Sequence, residues 1–133
     1  MPVLKQISVF AQNKQGKLED ITKVFAENKI NILAINIASS GDFGVLRFIC
    51  DKPDIAMKGL KNAGLIASLN EVLAIEMVDK PGGLFEIAKM LRKNNINIEN
   101  AYVFIEDHRK KACLIVDVTD VEKARKSLKG GNV

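Results

Sequence analysis

The chain has 133 residues, of which 47% are hydrophobic and 27% charged, a composition typical of a globular protein and not of a disordered chain. No apolar run reaches the roughly 18 residues of a membrane span, and the amino terminus lacks the layout of a secretory signal. We therefore expect a cytoplasmic protein without a membrane partner. The net charge of +4 would suit a polyanion, but lysines and carboxylates interleave along the chain. This pattern indicates a solvated surface and argues against a nucleic-acid partner.

The first half of the chain predicts the order strand, helix, strand, strand, helix, strand. Period-two alternation of apolar residues indicates the strands, and apolar residues at helical spacing indicate the helices. Ser39–Asp42 is a hairpin signal between two strands, and Pro53 suits the first position of a helix. The predicted elements are strands 3–12, 30–39 and 44–51, helices 18–28 and 53–64, and a short fourth strand at 65–69.

The second half of the chain repeats the first. The turn Asn13–Leu18 recurs 66 residues later as Asp79–Leu84, and Ile30–Ile32 recurs as Ile96–Ile98. The second half predicts strands 72–78, 98–105 and 112–117 and helices 84–93 and 120–128. A capping box of Thr119 with Glu122 is expected to begin the last helix.

These elements predict an α+β protein of two tandem ferredoxin-like (βαββαβ) domains, at residues 1–70 and 71–133. Each domain is expected to be an antiparallel sheet with both helices on one face. Only five residues follow Leu128, and two of them are glycine, so the second copy is expected to lack its last strand.

The alternation along the strands predicts which side chains face the helices. The expected buried set is Ile7, Val9, Leu33, Ile35, Leu46 and Phe48 in the first copy, and Leu73, Ile75, Ala101, Val103 and Leu114 in the second. The opposite face carries a mixed polar and aromatic set: Ser8, Phe10, Asn36, Arg47, Glu76, Asn100, Tyr102 and Cys113. Such a set lines a partner or ligand surface, or it belongs to a half-solvated sheet.

Residues that could carry catalysis are scarce. The one histidine, His108, falls in a predicted hairpin tip, and the chain contains no Cys-x-x-Cys, phosphate-binding loop or nucleophile elbow. Cys50 and Cys113 lie inside apolar runs and are expected to fill the core, with a disulfide or metal pair as the alternative. We therefore predict a protein that is not an enzyme and that uses no cofactor or metal.

The two strand-to-helix turns have the chemistry of an amino-acid site. A glycine at position 16 or 82 lets the backbone approach a ligand, and the following helix directs unpaired N–H groups toward a carboxylate. Asn13 or Asp79 adds a side-chain oxygen that can hold an ammonium. Together these groups match a free amino acid. The alternative is that the glycine only makes the turn and that Asn13 or Asp79 only caps the helix.

The turn and its repeat resemble the ACT domain, a regulatory module that binds small molecules. Asp79–Leu84 is close to the family's Asn/Asp-x-Pro-Gly-x-Leu, and Asn97-Ile98 is close to the start of its second strand. In this family the effector lies between paired domains, held by the first strand-to-helix loop of one and the start of the second strand of another. The resemblance therefore implies these ligand-binding residues: Asn13, Gly16, Leu18 and Asn31 in the first copy, and Asp79, Pro81, Gly82, Gly83, Leu84 and Asn97 in the second. Gln15 stands where the first copy should have proline.

The resemblance implies a stand-alone regulatory protein that binds a free amino acid and acts on a separate metabolic enzyme or regulator. We expect a homodimer, because a second copy without its fourth strand would leave one edge of strand 72–78 unpaired. The alternatives are an RNA-binding module and a ligand-free interaction module of the same fold. RNA binding requires stacking aromatic residues on the first and third strands, and the one aromatic residue of 44–50, Phe48, has the buried parity.

Overall fold

The structure is a computed structural model that describes residues 3–105 and 111–128. These residues form six strands and four helices: β1 Val3–Gln12, α1 Lys17–Glu27, β2 Ile32–Ser40, β3 Phe43–Cys50, α2 Pro53–Asn62, β4 Ile66–Val78, α3 Gly83–Lys93, β5 Ile98–Ile105, β6 Lys111–Val118 and α4 Val121–Ser127. None of the described helices is long and apolar enough to cross a membrane. The predicted hairpin tip with His108 and the tail 129–133 lie outside the described residues.

The chain divides into two compact units. The first unit, Lys5–Asn70, has the strand order β2-β3-β1-β4. The second unit runs from Glu71 and includes Val3 and Leu4 of β1, and its strand order is β5-β6-β4-β1. In the first unit β3 is antiparallel to β1 and β2, and in the second β6 is antiparallel to β4 and β5. The α+β class and the ferredoxin-like fold are confirmed.

The long strand β4 corrects two expectations. The separate strands predicted at 65–69 and 72–78 are one strand of 13 residues, because no glycine or proline interrupts the chain between Leu65 and Val78. Strand 72–78, which was expected to have one open edge, belongs to a strand with neighbours on both sides. β1 is the neighbour of β4 on that side, and Val3 packs against the core of the second unit. No strand follows α4 within the described residues.

Each unit has its own core between its helices and its sheet. In the first unit, Phe25 of α1 contacts Phe48 of β3, with ring centroids 4.7 Å apart. The first core contains Ile7, Val9, Ile21, Phe25, Ile30, Leu46, Phe48, Cys50, Ala56 and Leu60. The second core contains Leu73, Ile75, Ile87, Leu91, Leu114, Val116, Val118, Ala124 and Leu128. Seven of the residues predicted to be buried therefore lie in these cores: Ile7, Val9, Leu46, Phe48, Leu73, Ile75 and Leu114.

The predicted core is wrong on the two terminal strands, β2 and β5. Leu33, Ile35, Ala101 and Val103 are all exposed. The register pairs Ile35 with the buried Phe48, so Ile35 does point toward the helix side of the sheet. It remains exposed because the helices cover the inner strands of the unit and leave its edge strand open. Burial at an edge depends on tertiary position as well as on alternation.

The opposite sheet faces are less open than predicted. Ser8, Tyr102 and Cys113 have the parity of the uncovered face, yet all three are buried. A half-solvated sheet would leave such side chains in water, so the middle of this face is packed. Both cysteines are buried, as a role in filling the interior predicts, and they form no disulfide with each other. Burial raises the pKa of the Cys50 thiol.

The last helix is capped differently from the prediction. α4 begins at Val121, so Asp120 and not Thr119 occupies the capping position. The Asp120 carboxylate accepts a hydrogen bond from the Lys123 N–H at 3.0 Å. Thr119 instead donates to the Glu99 carboxylate at 2.9 Å. The capping box predicted from Thr119 is therefore wrong by one position.

Candidate functional site

Each strand-to-helix turn places a glycine just before a helix. Gly16 precedes α1 with a φ of 88°, and Gly82 precedes α3 with a φ of 90°. Both values lie in the left-handed region that glycine adopts at little cost. A Cβ at either position would meet no atom within 4 Å, so the space beside both glycines is open. The two turns share one local conformation.

The first turns of α1 and α3 carry no side-chain cap. Their first helical hydrogen bonds are donated by Asp20 and Glu86 to the carbonyls of the two glycines, at 3.0 and 3.1 Å. The N–H groups of Leu18 and Leu84 precede these bonds and have no intrahelical acceptor. They carry the positive end of the helix dipole, which attracts a carboxylate or a phosphate.

Asn13 is tied to the tip of the β2–β3 hairpin. Its backbone N–H donates to the Asp42 carbonyl at 2.7 Å, and its Nδ2 donates to the Gly41 carbonyl at 3.2 Å. The alternative that Asn13 caps α1 is wrong, because the start of α1 has no side-chain cap. The Oδ1 atom of Asn13 accepts no hydrogen bond from the described residues, so it is available to a ligand.

Asp79 is exposed and forms neither a hydrogen bond nor an ion pair with the described residues. It does not cap α3 either, since that helix has no side-chain cap. Asp79 precedes Gly82, the residue before α3, by three positions, so one turn carries a free carboxylate and the positive start of a helix. This arrangement matches the two charges of a free amino acid.

The second turn is tighter than the first. The Gly83 N–H donates to the Lys80 carbonyl at 3.0 Å, whereas the equivalent bond from Lys17 to Lys14 is 3.4 Å. A Cβ on Gly83 would collide with the Val78 carbonyl, so glycine is the residue that this close approach allows. The second turn therefore brings its backbone closer together than the first.

Three further residues of the predicted site lie on the outside of the turns. Leu18 and Leu84 are exposed at the start of their helices although both are apolar. Pro81 is exposed as well, and its ring fixes φ within the second turn. The turns thus offer an apolar contact next to the open N–H groups.

The starts of the second strands lie in different surroundings. Asn31 forms two hydrogen bonds with Asp51. The Asn31 N–H donates to the Asp51 carboxylate at 3.0 Å, and the Asn31 carbonyl accepts from the Asp51 N–H at 3.2 Å. Asn97 lines a pocket of about 230 Å³ with Thr119, Asp120 and Lys123 among its neighbours. Lys123 was missed at the level of sequence, although its place in the first turn of the last helix could have indicated it.

The turn and the strand start of one unit are not brought together. In the first unit Asn13 lies beside the hairpin tip, whereas Asn31 lies beside Asp51 at the other end of β2. β2 has nine residues, which separates its ends by about 30 Å. In the second unit the register places Asp79 near the start of β6 and Asn97 near its end. The turn and the strand start of one unit are therefore separate, and we call them the two half-sites of the predicted site.

A family model described as an ACT domain pair matches residues 1–131. The chain belongs to this ACT domain pair family. The resemblance drawn from the turn motif and its repeat is thereby confirmed. The comparison with curated protein sequences gives no match.

Solved structures similar to this ACT domain pair include a protein from Bacteroides thetaiotaomicron, 34% identical with a TM-score of 0.88, covering 96% of this chain and 88% of that one. The ligand-free regulatory subunit of aspartate kinase from Thermus thermophilus is 16% identical, with a TM-score of 0.68. The match covers 98% of this chain and 97% of that subunit. Aspartokinase III from E. coli, in complex with lysine and aspartate, is 14% identical, with a TM-score of 0.52. The match covers 96% of this chain and 31% of the aspartokinase chain. Both kinase proteins share the fold of this ACT domain pair.

Proposed function

We propose that this ACT domain pair, with domains at residues 1–70 and 71–133, is a cytoplasmic, non-catalytic regulatory protein. It binds a free amino acid between paired ACT domains and transmits the level of that amino acid to a partner protein. The observation that carries the proposal is the second turn, which holds the free Asp79 carboxylate and leads into the uncapped start of α3. The amino acid's carboxylate binds the helix start, and its ammonium binds Asp79.

The half-sites define how a complete pocket forms. The turn of one domain supplies Asp79, Pro81, Gly82, Gly83 and Leu84, or Asn13, Gly16 and Leu18, and the strand start of another supplies Asn97 or Asn31. The pocket beside Asn97 also contains Lys123, whose ammonium has no ion pair among the described residues. This ammonium adds a second group that favours a carboxylate.

The likeness to regulatory subunits of aspartate kinase supports a separate protein as the target of regulation. Aspartokinase III is described in complex with lysine and aspartate, which supports an amino acid as the effector. We infer that the partner is an enzyme or a regulator of amino-acid metabolism. The amino acid shifts the partner's activity only by the difference between its affinities for the two states of the complex.

We expect a free amino acid to raise the melting temperature by several degrees. A ligand at about 100 times its dissociation constant adds roughly 2.7 kcal/mol to the free energy of unfolding, enough for such a shift in a chain of this size. The measurement is thermal unfolding with each standard amino acid at millimolar concentration, with single-stranded RNA as the control. No shift with any amino acid, together with salt-dependent RNA binding, would contradict the proposal.

We also expect the protein to form a homodimer. The reason is no longer an open edge on β4 but the two separate half-sites of each unit, which a second copy can complete. β2 ends the sheet of the first unit and β5 that of the second, so each leaves a strand edge where a copy can pair. Sedimentation equilibrium at micromolar concentration should give twice the monomer mass. A monomer over this whole range would contradict the expectation.

A further inference from the structure

The sheet face of the first unit that lies opposite its helices carries residues that the amino-acid site does not use. Directly paired residues of antiparallel strands share a face. The register pairs Arg47 with both Ser8 and Asn36, and it pairs Val45 with Phe10. These residues therefore lie on one face, opposite the face that buries Phe48 and Leu46 in the core. Alternation along β1, β2 and β3 gives this face a single charged side chain, Arg47.

A cavity of about 400 Å³ opens on this face. Its lining is Phe10, Ala38, Ser39, Ser40, Phe43, Gly44, Val45 and Arg47. We call it the open-face cavity. Small residues of the β2–β3 hairpin leave the space, and two phenylalanines border it, with Phe43 exposed to 66% of its surface. The volume lies at the small end of the range for small-molecule sites.

The charge in the open-face cavity has no partner in the part of the chain that the structure describes. Arg47 is half-buried, and within the described residues its guanidinium forms neither a hydrogen bond nor an ion pair. Asn36 lies across from Arg47 on β2, and its buried Oδ1 accepts no hydrogen bond, so this neighbour does not use the guanidinium either. A half-buried guanidinium without a counter-charge favours an anion as its partner.

We infer that the open-face cavity binds a small molecule that joins one carboxylate to an apolar body the size of an aromatic ring. The planar guanidinium of Arg47 pairs with the carboxylate through two parallel hydrogen bonds. Phe10 and Phe43 contact the apolar body. One arginine in an apolar lining suits a single charge better than a dianion or a polyanion, which would stay partly unpaired. This site goes beyond the proposed function and uses none of the turn residues.

The test is calorimetric titration of the full chain with phenylacetate. We expect saturable binding, and we expect Arg47→Gln to weaken it about tenfold or more, the effect of losing a charged hydrogen bond. Phenylethanol keeps the ring without the carboxylate, acetate keeps the carboxylate without the ring, and both should bind at least tenfold more weakly. Arg92→Gln, which removes an exposed arginine from α3, is the matched control and should leave the phenylacetate affinity unchanged.

Phe43→Ala provides a second variant whose side chain supports no core, and it should also weaken phenylacetate binding. The inference is overturned if phenylacetate does not bind at millimolar concentration, or if it binds Arg47→Gln as tightly as wild type. It is overturned equally if acetate or phenyl phosphate binds better than phenylacetate. Binding of single-stranded RNA that is lost in Arg47→Gln would assign this face to a nucleic acid instead.

Discussion

Replacing Phe48 by alanine is expected to lower the free energy of unfolding by about 3–5 kcal/mol. The ring is fully buried in the first core and contacts Phe25 with ring centroids 4.7 Å apart. Its removal takes away apolar contacts from both the sheet and α1, and the neighbouring strands cannot move in to fill the space. Urea unfolding followed by circular dichroism measures the loss.

Phe43→Ala is the matched control for Phe48→Ala, because it removes the same side chain from the same strand. Phe43 is 66% exposed, so its replacement should change the free energy of unfolding by no more than about 0.5 kcal/mol. Similar losses for the two variants would show that the assignment of core and open face on β3 is wrong.

Replacing Asp79 by alanine is expected to weaken amino-acid binding by about 1.5–3 kcal/mol, the range for a hydrogen bond to a charged group. Asp79 has no partner among the described residues, so its carboxylate is free for the ligand's ammonium. Asn13→Ala should cost less, because Asn13 is neutral and its amide already binds the Gly41 carbonyl. Calorimetric titration of the three proteins with one amino acid measures both losses.

Asp79→Asn separates charge from shape at this position and should lose most of what Asp79→Ala loses. Since Asn13→Ala also removes a hairpin contact, each variant is first compared with wild type by thermal unfolding without ligand. Equal losses for the two alanine variants would indicate that the two turns contribute alike. An unchanged affinity in Asp79→Ala would contradict the role of this carboxylate.

Much of the fold could be predicted from the sequence because it follows from local patterns. The recurrence of Asn13–Leu18 as Asp79–Leu84 revealed the two copies, and the glycines at positions 16 and 82 predicted turns that need a positive φ. Helix bounds were close because apolar spacing is read along one element. The inner strands β1, β3 and β6 were also predicted close to their bounds, whereas β4 was predicted as two strands.

The remaining features depend on contacts between distant residues. The alternation of apolar residues predicted the correct sheet face for Ile35 and Val103. Their exposure, however, follows from the edge position of β2 and β5. The partner of Asn13 is the Gly41 carbonyl, 28 residues away, which no local motif specifies. The place of β1 beside β4 likewise joins the start of the chain to its second half. Such pairings need the tertiary structure.

Local patterns did not divide the predicted site into half-sites, and only the resemblance to the family implied that division. Asn13 and Asn31 belong to one motif set but lie at opposite ends of β2. The sequence could indicate which residues meet a ligand only through resemblance to the family. The geometry adds that the turn and the strand start of the first unit lie at opposite ends of β2, which supports the proposal that a complete pocket joins two domains.

Amino-acid recognition at the Asp79 turn is tested most directly by nuclear magnetic resonance titration of isotope-labelled protein with the amino acid that gives the largest thermal shift. The amide signals of Gly82, Leu84 and Phe85 should move and saturate together, because the ligand's carboxylate binds the start of α3. The signals of Val45 and Arg47 in the open-face cavity should stay in place. Signals of the second turn that do not move with any amino acid would contradict the proposed site.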